Sequence, residues 1–287
     1  MKTVTKIRLA SAMYRVISTA RKLAGTNDSA QVVRKGLSWH LDLSEGIDLA
    51  IFAFGQFENE TARALASLIQ PGAVVLDIGA NIGAHTLPLA RLVGPSGKVY
   101  AFEPTQYAFG KLKKNLALNP ALVNRVVAEQ LRLTNSGGDD AGEIYSSWKV
   151  VGQEPRHKKH LGIPKSTQGA RSATLNEYCE NAGIQKVDFI KLDVDGFEVE
   201  VIKGSVSTLR QFRPAICLEL SPYVLTERGT SAEELVSLLR ECDYQLVDQK
   251  SRNTVIDQDG KLRMEIPDGS GINVLAFAKE QLAIKSF

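Results

Sequence analysis

The chain predicts an α/β fold built around a mostly parallel sheet, and three observations carry that prediction. Apolar runs of strand length recur at Val74 to Ile78, Val99 to Phe102, Val187 to Leu192 and Ala215 to Leu220, as expected of strands covered on both faces. Helix-length segments separate them, from Thr86 onward, from Gln106 to Leu118 and from Glu198 to Phe212. Two strand ends also carry a carboxylate, Asp77 and Glu103, at the edge where open α/β sheets bind ligands.

Composition narrows the function classes. With 287 residues and 44% hydrophobic content the chain can bury one large core without needing a second full domain. A net charge of +3 is no nucleic-acid signature, so no nucleic-acid partner is expected. Cys179, Cys217 and Cys242 are odd in number and have no C-x-x-C spacing, which predicts reduced core thiols in a cytoplasmic protein. No apolar run has the length of a membrane span, and Arg15 and Arg21 interrupt what would otherwise resemble a signal peptide.

Taken in order, residues 1–30 read as a basic amphipathic helix. Ile7, Ala10, Met13, Tyr14, Ile17, Ala20 and Leu23 fall at helical spacing, with Lys2, Lys6, Arg8, Arg15 and Lys22 on the remaining surface. Such a helix either makes peripheral contact with an anionic membrane or a partner, or packs on the main domain. Residues 31–55 predict a β-hairpin cover. Val33, Leu37, Trp39, Leu41 and Leu43 alternate with polar positions, Lys35 being the exception, and Glu45-Gly46 turns the chain into a second strand from Ile47 to Phe54. Residues 56–287 form the main domain, opening with a helix from Gln56 to Ile69 that Pro71-Gly72 ends. Pro88 is tolerable in the first turn of the helix near Thr86, where N–H groups lack partners anyway. A third strand spans 125–133. Residues 134–172 lack a helical period and read either as unstructured chain or as a lid-like insert. A short helix over 176–182 precedes the fourth strand. Ser231 to Glu234 reads as a capping box opening a helix through Glu241, and strands at Tyr244 to Asp248 and Asn273 to Ala278 close the domain.

The turn after the first main-domain strand is the most specific local signal. Asp77-Ile78-Gly79-Ala80-Asn81-Ile82-Gly83 has the form D-x-G-x-x-x-G, whereas a dinucleotide fingerprint needs G-x-G-x-x-G. In this reading Gly79 and Gly83 let the backbone approach a ligand, and Asp77 supplies an anionic acceptor. Glu103 lies 26 residues beyond Asp77 and suits a ribose diol, a device shared by NAD and S-adenosylmethionine enzymes. The glycine spacing resembles the first motif of class I S-adenosylmethionine-dependent methyltransferases.

The resemblance sharpens at Lys191-Leu192-Asp193-Val194-Asp195-Gly196-Phe197-Glu198 and the upstream Thr174-Leu175-Asn176-Glu177-Tyr178. With Val74 to Thr86, these segments resemble the FkbM family of methyltransferases over residues 50 to 280. Two positions depart from the family's usual pattern, Asp195 for Glu and Asn176 for Asp. The resemblance implies a seven-stranded Rossmann-like sheet with an antiparallel C-terminal hairpin strand. It also implies O-methylation of a hydroxyl on a sugar, glycan, glycolipid or secondary metabolite. Glu58, Asp77, Gly79, Asn81, Gly83, Glu103 and Asp193 are the candidate cofactor residues, with Glu58 directed to the cofactor's ammonium group. The competing readings are a nicotinamide-dependent oxidoreductase and a non-catalytic cofactor-binding scaffold.

An acceptor hydroxyl must lose its proton as the new bond forms, which calls for a base or a metal. Asp193, at the tip of the fourth strand, is the first candidate base, and His85, after the glycine loop, is its rival. Asp193, Asp195 and Glu219 together would suit Mg²⁺ if the backbone past Asp193 stays extended. The alternative pairs Glu219 with a basic side chain such as Lys191. Trp148 and Tyr223 are candidates to stack on a sugar ring, and Arg156 to His160 reads as a basic patch on the insert.

Overall fold

The computed structural model describes residues 3–137, 142–146, 148–150, 162–257, 262–263 and 265–284, with side chains described from residue 9 to residue 281. Helix α1 (Thr3–Leu23) leads into strands β1 (Ser29–Arg34) and β2 (Leu37–Asp42), then helices α2 (Gly46–Phe54) and α3 (Asn59–Leu68). There follow β3 (Val74–Ile78), α4 (Thr86–Leu92), β4 (Lys98–Phe102), α5 (Gln106–Ala117), α6 (Pro120–Val123), β5 (Val126–Glu129) and β6 (Leu131–Leu133). The insert carries β7 (Glu143–Ser146), β8 (Ile163–Ser166) and β9 (Arg171–Ala173). The rest alternates as α7 (Leu175–Asn181), β10 (Phe189–Leu192), α8 (Glu198–Lys203), α9 (Val206–Phe212), β11 (Ala215–Leu220), α10 (Pro222–Glu227), α11 (Ala232–Glu241), β12 (Tyr244–Asp248), β13 (Ile272–Ala278) and α12 (Lys279–Ile284).

Seven strands form one sheet in the order β12-β13-β11-β10-β3-β4-β5. All pairings are parallel except those of β13, which runs antiparallel to both β11 and β12. This is the class I methyltransferase architecture expected from the sequence. The register sets Asp77 beside Lys191 and Ile78 beside both Leu192 and Phe102. Because side chains alternate across a strand, Val75 and Leu76 enter different cores. Val75, Val99, Phe189 and Cys217 pack in one apolar cluster with α4 and α5, and Leu76, Phe102, Ile190 and Leu218 pack in another with α8 and α11. All three cysteines are free and buried.

The N-terminal cover differs from the expected one. The hairpin is β1–β2, and its turn is Lys35-Gly36, both at positive φ (47° and 71°), as a two-residue hairpin loop requires. Lys35 broke the alternation because it occupies that turn. Ile47 to Phe54 lies in helix α2, where Leu49 and Ile51 are fully buried and Gly55 ends the helix at φ 80° with its N–H on the Ile51 carbonyl. A short all-apolar run does not distinguish helix from strand; tertiary contacts decided this one. The β2 edge is capped from α5 and the turn after it, since Asn115 Oδ1 accepts from the His40 N–H and Asn119 Oδ1 from the Ser38 N–H.

Three smaller expectations also change. The strand foreseen over 125–133 breaks at Gln130, so that β5 joins the main sheet while β6 pairs with β9. The helix foreseen over 198–212 divides at Gly204-Ser205. A side chain at 204 would come within 2.1 Å of the Thr134 carbonyl oxygen, so the chains cross there through a glycine. The helix foreseen from Gln56 starts at Asn59, with Glu58 before it in the left-handed region at φ 45°. The insert is partly ordered by pairing. β7 and β8 form an antiparallel ribbon, and Trp148 accepts from the Gly46 N–H while the Val150 N–H donates to Ser44. Arg156 to His160 lies outside the described residues.

Candidate active site

A cavity of about 460 Å³ opens along the C-terminal tips of β4, β3, β10 and β11, which is where this sheet type places ligands. Of the sequence-predicted residues, Glu58, Gly79, Asn81, His85, Glu103, Asp193, Asp195 and Glu219 line it. Trp148 and Tyr223 do too. Asp77 and Gly83 are not part of the lining, and their expected roles change.

Asp77 is fully buried behind the loop. Its Oδ2 accepts from Thr86 Oγ1 at 2.6 Å, its Oδ1 is buried without a hydrogen bond, and burial pushes its carboxyl up against the pull of Lys191. It therefore ties the strand to the start of α4 and does not present a charge to a ligand. Gly83 answers packing: a Cβ there would meet Leu87 and Leu112 at 2.7 and 2.9 Å. Gly79 sits at the cavity wall at φ 83°, and a Cβ there would lie 1.8 Å from the Asp193 carbonyl oxygen. Both glycines thus make room for protein atoms before any ligand.

Glu103 ends β4 as expected, but much of its accepting capacity is used. Oε2 takes the Asn81 N–H at 2.9 Å, and Oε1 takes the N–H (2.9 Å) and hydroxyl of Thr105. Four acceptor sites on a carboxylate leave room for about one more strong donor. These bonds lock the loop after β3 to the tip of β4.

Lys191 is the residue whose role the sequence reading left open. It is 5% exposed, its Nζ lies 3.1 Å from Asp193 Oδ2 and 3.4 Å from the Gly79 carbonyl, and its ammonium pKa is raised, the charges of Asp193 and Asp77 outweighing burial. It pairs with Asp193 and not with Glu219. Lys191 stands opposite Asp77 in the sheet, so one buried cation pairs with Asp193 and feels the charge of Asp77.

Asp193, Asp195 and Glu219 do not assemble a Mg²⁺ site. Among the described residues no three His, Cys, Asp or Glu side chains gather at metal-ligand geometry. The extended backbone that the metal reading required is absent: Asp195 turns into the left-handed region at φ 50°, and Asp193 is engaged by Lys191. Glu198, the last residue of the motif, closes that turn by accepting the Val194 and Gly196 N–H groups at 3.1 and 3.3 Å. Burial pushes Glu198 up to about 7.

His85 precedes α4 and is 4% exposed. Its Nε2 is buried without a hydrogen bond and lies 3.8 Å from Glu58 Oε2, too long for one. Burial, aided by Lys191, lowers its pKa to about 3, so the imidazole is neutral and this contact is no ion pair. Phe197, also in the lining, has two guanidinium groups near its ring, Arg132 at 4.9 Å and Arg228 at 4.3 Å from its centre. Their distance from Phe197 along the chain, 65 and 31 residues, gave no signal for this cluster.

The family profile described as the Methyltransferase FkbM domain matches residues 77–246, more than half of the chain. The chain belongs to the FkbM methyltransferase family. Methyltransferase sdnD of Sordaria araneosa is 31% identical over 155 residues, covering 45% of this chain and 59% of sdnD. 2-O-methyltransferase NoeI of Sinorhizobium fredii is 28% identical over 206 residues, covering 66% of this chain and 80% of NoeI. Hexuronic acid methyltransferase AglP of Haloferax volcanii is 27% identical over 190 residues, covering 64% of this chain and 68% of AglP. The two departures from the FkbM pattern are both accommodated. Asn176 Oδ1 accepts from the N–H and hydroxyl of Thr208, each at 2.9 Å, so a neutral acceptor serves the first turn of α9. The shorter Asp195 occupies the turn that Glu198 braces.

Proposed function

We propose that this chain transfers the methyl group of S-adenosylmethionine to a hydroxyl of a small-molecule acceptor, a sugar or a glycolipid headgroup being the favoured class. The observation that carries the reading is the cavity itself, a continuous cleft from Glu103 past Gly79 and Asp193 to Glu219 with an unpartnered His85 nitrogen in its wall. Its size suits a nucleoside cofactor, and the names of NoeI and AglP support a sugar acceptor.

The residues present fit the cofactor. Glu103 has an acceptor position left for the ribose, Gly79 and Asn81 offer the loop beside it, and Glu58 is exposed for an ammonium group. The cofactor supplies a methyl group already activated by its sulfonium, so the protein's task is alignment and exclusion of water. The base is Asp193, which lines the cavity and is partly open to it, with Lys191 fixing Oδ2. His85, neutral and with its Nε2 unpartnered in the cavity wall, positions a bound group instead.

Helix α1 adds a second element to the proposal. Leu9, Val16 and Leu23 recur every seven residues and stay exposed, with Arg15 and Lys22 beside them. This arrangement supports peripheral contact with an anionic membrane. No helix among the described residues is long and apolar enough to cross one.

The test is direct. Titration should give micromolar binding of S-adenosylmethionine or S-adenosylhomocysteine and none of NAD. Mass spectrometry of small-molecule extracts incubated with labelled cofactor should then reveal a product heavier by one methyl group. Binding without transfer would leave a scaffold, and NAD binding alone would sink the methyltransferase reading.

A further inference from the structure

Building on that reading of the cleft, we propose that its acceptor end takes a hydroxylated unit bearing a protonated amine, as in an amino sugar, with the ammonium seated between Asp195 and Glu219. Among the described residues, Glu58, Glu103, Asp193, Asp195, Glu198 and Glu219 line the cavity, against two cationic side chains, Lys191 and Arg132. Both cations are already committed: Lys191 is 3.1 Å from Asp193, and Arg132 is 3.2 Å from Glu200 and near the Phe197 ring. Glu103 and Glu198 are occupied by the backbone N–H groups of the loops they brace. What remains is concentrated on Asp195 and Glu219, at the end of the strand-tip row farthest from Glu103.

Among the described residues neither Asp195 nor Glu219 forms an ion pair; the cation that acts on Asp195 is Lys191, already engaged by Asp193. A side chain at Gly271 would strike Glu219 Oε1 at 2.4 Å and Ser221 Oγ at 2.0 Å, so backbone and a hydroxyl crowd one flank. Tyr223 lines the cavity too, and burial together with the charges of Glu219 and Asp195 pushes its hydroxyl up. The charges of Asp193 and Glu198 push Asp195, which is itself exposed, up to about 8, and burial together with the neighbouring carboxylates pushes Glu219 well above the usual carboxylate range. At neutral pH Asp195 therefore holds a proton that a nearby cation would displace. The cofactor's single net positive charge is matched by Glu58 and leaves the far pair unrelieved.

An independent feature points the same way. His85 Nε2 is buried, unpartnered and set in the cavity wall, and its ring is neutral. In the tautomer that leaves Nε2 unprotonated, this nitrogen accepts from a ligand N–H or O–H. An anionic uronate or phosphate would find both described cations of the lining already engaged, which disfavours it as an acceptor.

The experiment compares the methyl glycosides of glucosamine, glucose and glucuronic acid by ligand-observed NMR, on the full chain saturated with S-adenosylhomocysteine. We expect the glucosamine glycoside to bind at least about tenfold more tightly than the glucuronide. Glu219→Gln and Asp195→Asn, checked for native circular dichroism, should each shrink that ratio about threefold or more. Calorimetry of glucosamine glycoside binding in buffers of different ionisation enthalpy should detect proton release. Equal affinities, a preference for the uronate, or no binding of any of the three by a protein that binds S-adenosylhomocysteine would overturn the proposal. Ratios unchanged in both variants would overturn it too, as would binding without proton release. Failure of the wild type to bind S-adenosylhomocysteine would instead overturn the methyltransferase reading beneath it.

Discussion

At Gly79 the backbone needs both a positive φ and empty space, because the Asp193 carbonyl oxygen would stand 1.8 Å from any Cβ. Gly79→Ala should therefore separate β3 from the turn after β10, costing several kcal/mol and abolishing cofactor binding; thermal unfolding and titration would show both. Gly183→Ala is the control. Its φ of 63° is equally left-handed, but no atom lies within 4 Å of a new Cβ, so only about 1–2 kcal/mol of backbone strain is expected. Asp193→Asn keeps shape while removing the base, and turnover should drop on the order of 10² to 10⁴-fold with little change in cofactor affinity. Near-normal turnover would remove Asp193 from the chemistry. His85 has a folded pKa of about 3 against an ordinary 6.5. Its stabilising contribution is thus complete above 6.5 and is lost as pH falls toward 3. Denaturant titrations of the wild type and His85→Gln should diverge over that window, the wild type losing more. The fate of Asp77 shows how far a motif can be read. Its position in the strand was legible, but its direction was not, because one residue of strand register decides whether a side chain faces the cleft or the core.

Helix α2 is where local pattern and tertiary context parted. Gly46 to Phe54 is apolar on nearly every face, so neither a two-residue nor a 3.6-residue period stands out. Asp48 settles the matter: it is 1% exposed, accepts from the Asp42 N–H at 2.6 Å and pairs with Lys111 of α5 at 2.5 Å. Even so, burial outweighs Lys111 and lifts the Asp48 carboxyl from 3.8 to about 6. A raised carboxyl binds its proton more tightly in the folded chain, so the stability it contributes is present below 3.8 and lost as pH rises to about 6. Relative to Asp48→Asn, the wild type should lose on the order of 1–3 kcal/mol across that interval, read from unfolding midpoints at each pH. For α1, Leu9→Asp with Val16→Asp should reduce cosedimentation with anionic vesicles while leaving cofactor affinity unchanged. Equal binding by the double variant would place any membrane contact elsewhere.

At the scale of the whole molecule, α1 is not an appendage. Tyr14 and Ser18 are buried and both donate hydrogen bonds to Asp28, at 2.7 and 3.1 Å. Ser11 reaches the Val150 carbonyl of the insert. Met13 and Ile17 pack against the core shared with β3 and α4. Deleting residues 1–24 should therefore lower the unfolding midpoint clearly, since losing Tyr14 alone is worth roughly 3 kcal/mol. Below that midpoint S-adenosylhomocysteine should still bind, because the cavity lining begins at Ile47. Loss of binding in a folded truncation would show that α1 shapes the cleft through the insert.

Most of the sheet was legible from local pattern: the apolar strand runs apart from that over 125–133, the carboxylates at two strand tips and the D-x-G-x-x-x-G turn emerged where they were read, because apolar continuity and glycine turns act locally. The sequence also placed Asp193, Glu103 and His85 at the cleft, since strand ends in this architecture converge on one edge. Tertiary structure alone decided which acids face a ligand and which are consumed in holding the site. Asp77 turned inward to Thr86, Lys191 chose Asp193, and Asp195 left the extended path that would have made a metal triad. It also decided that Ser44 to Gly46 would pair with Trp148 to Val150 across 100 residues of chain. Hydrogen bonds and ion pairs between segments so far apart depend on how the layers stack, and no local period in the sequence records that.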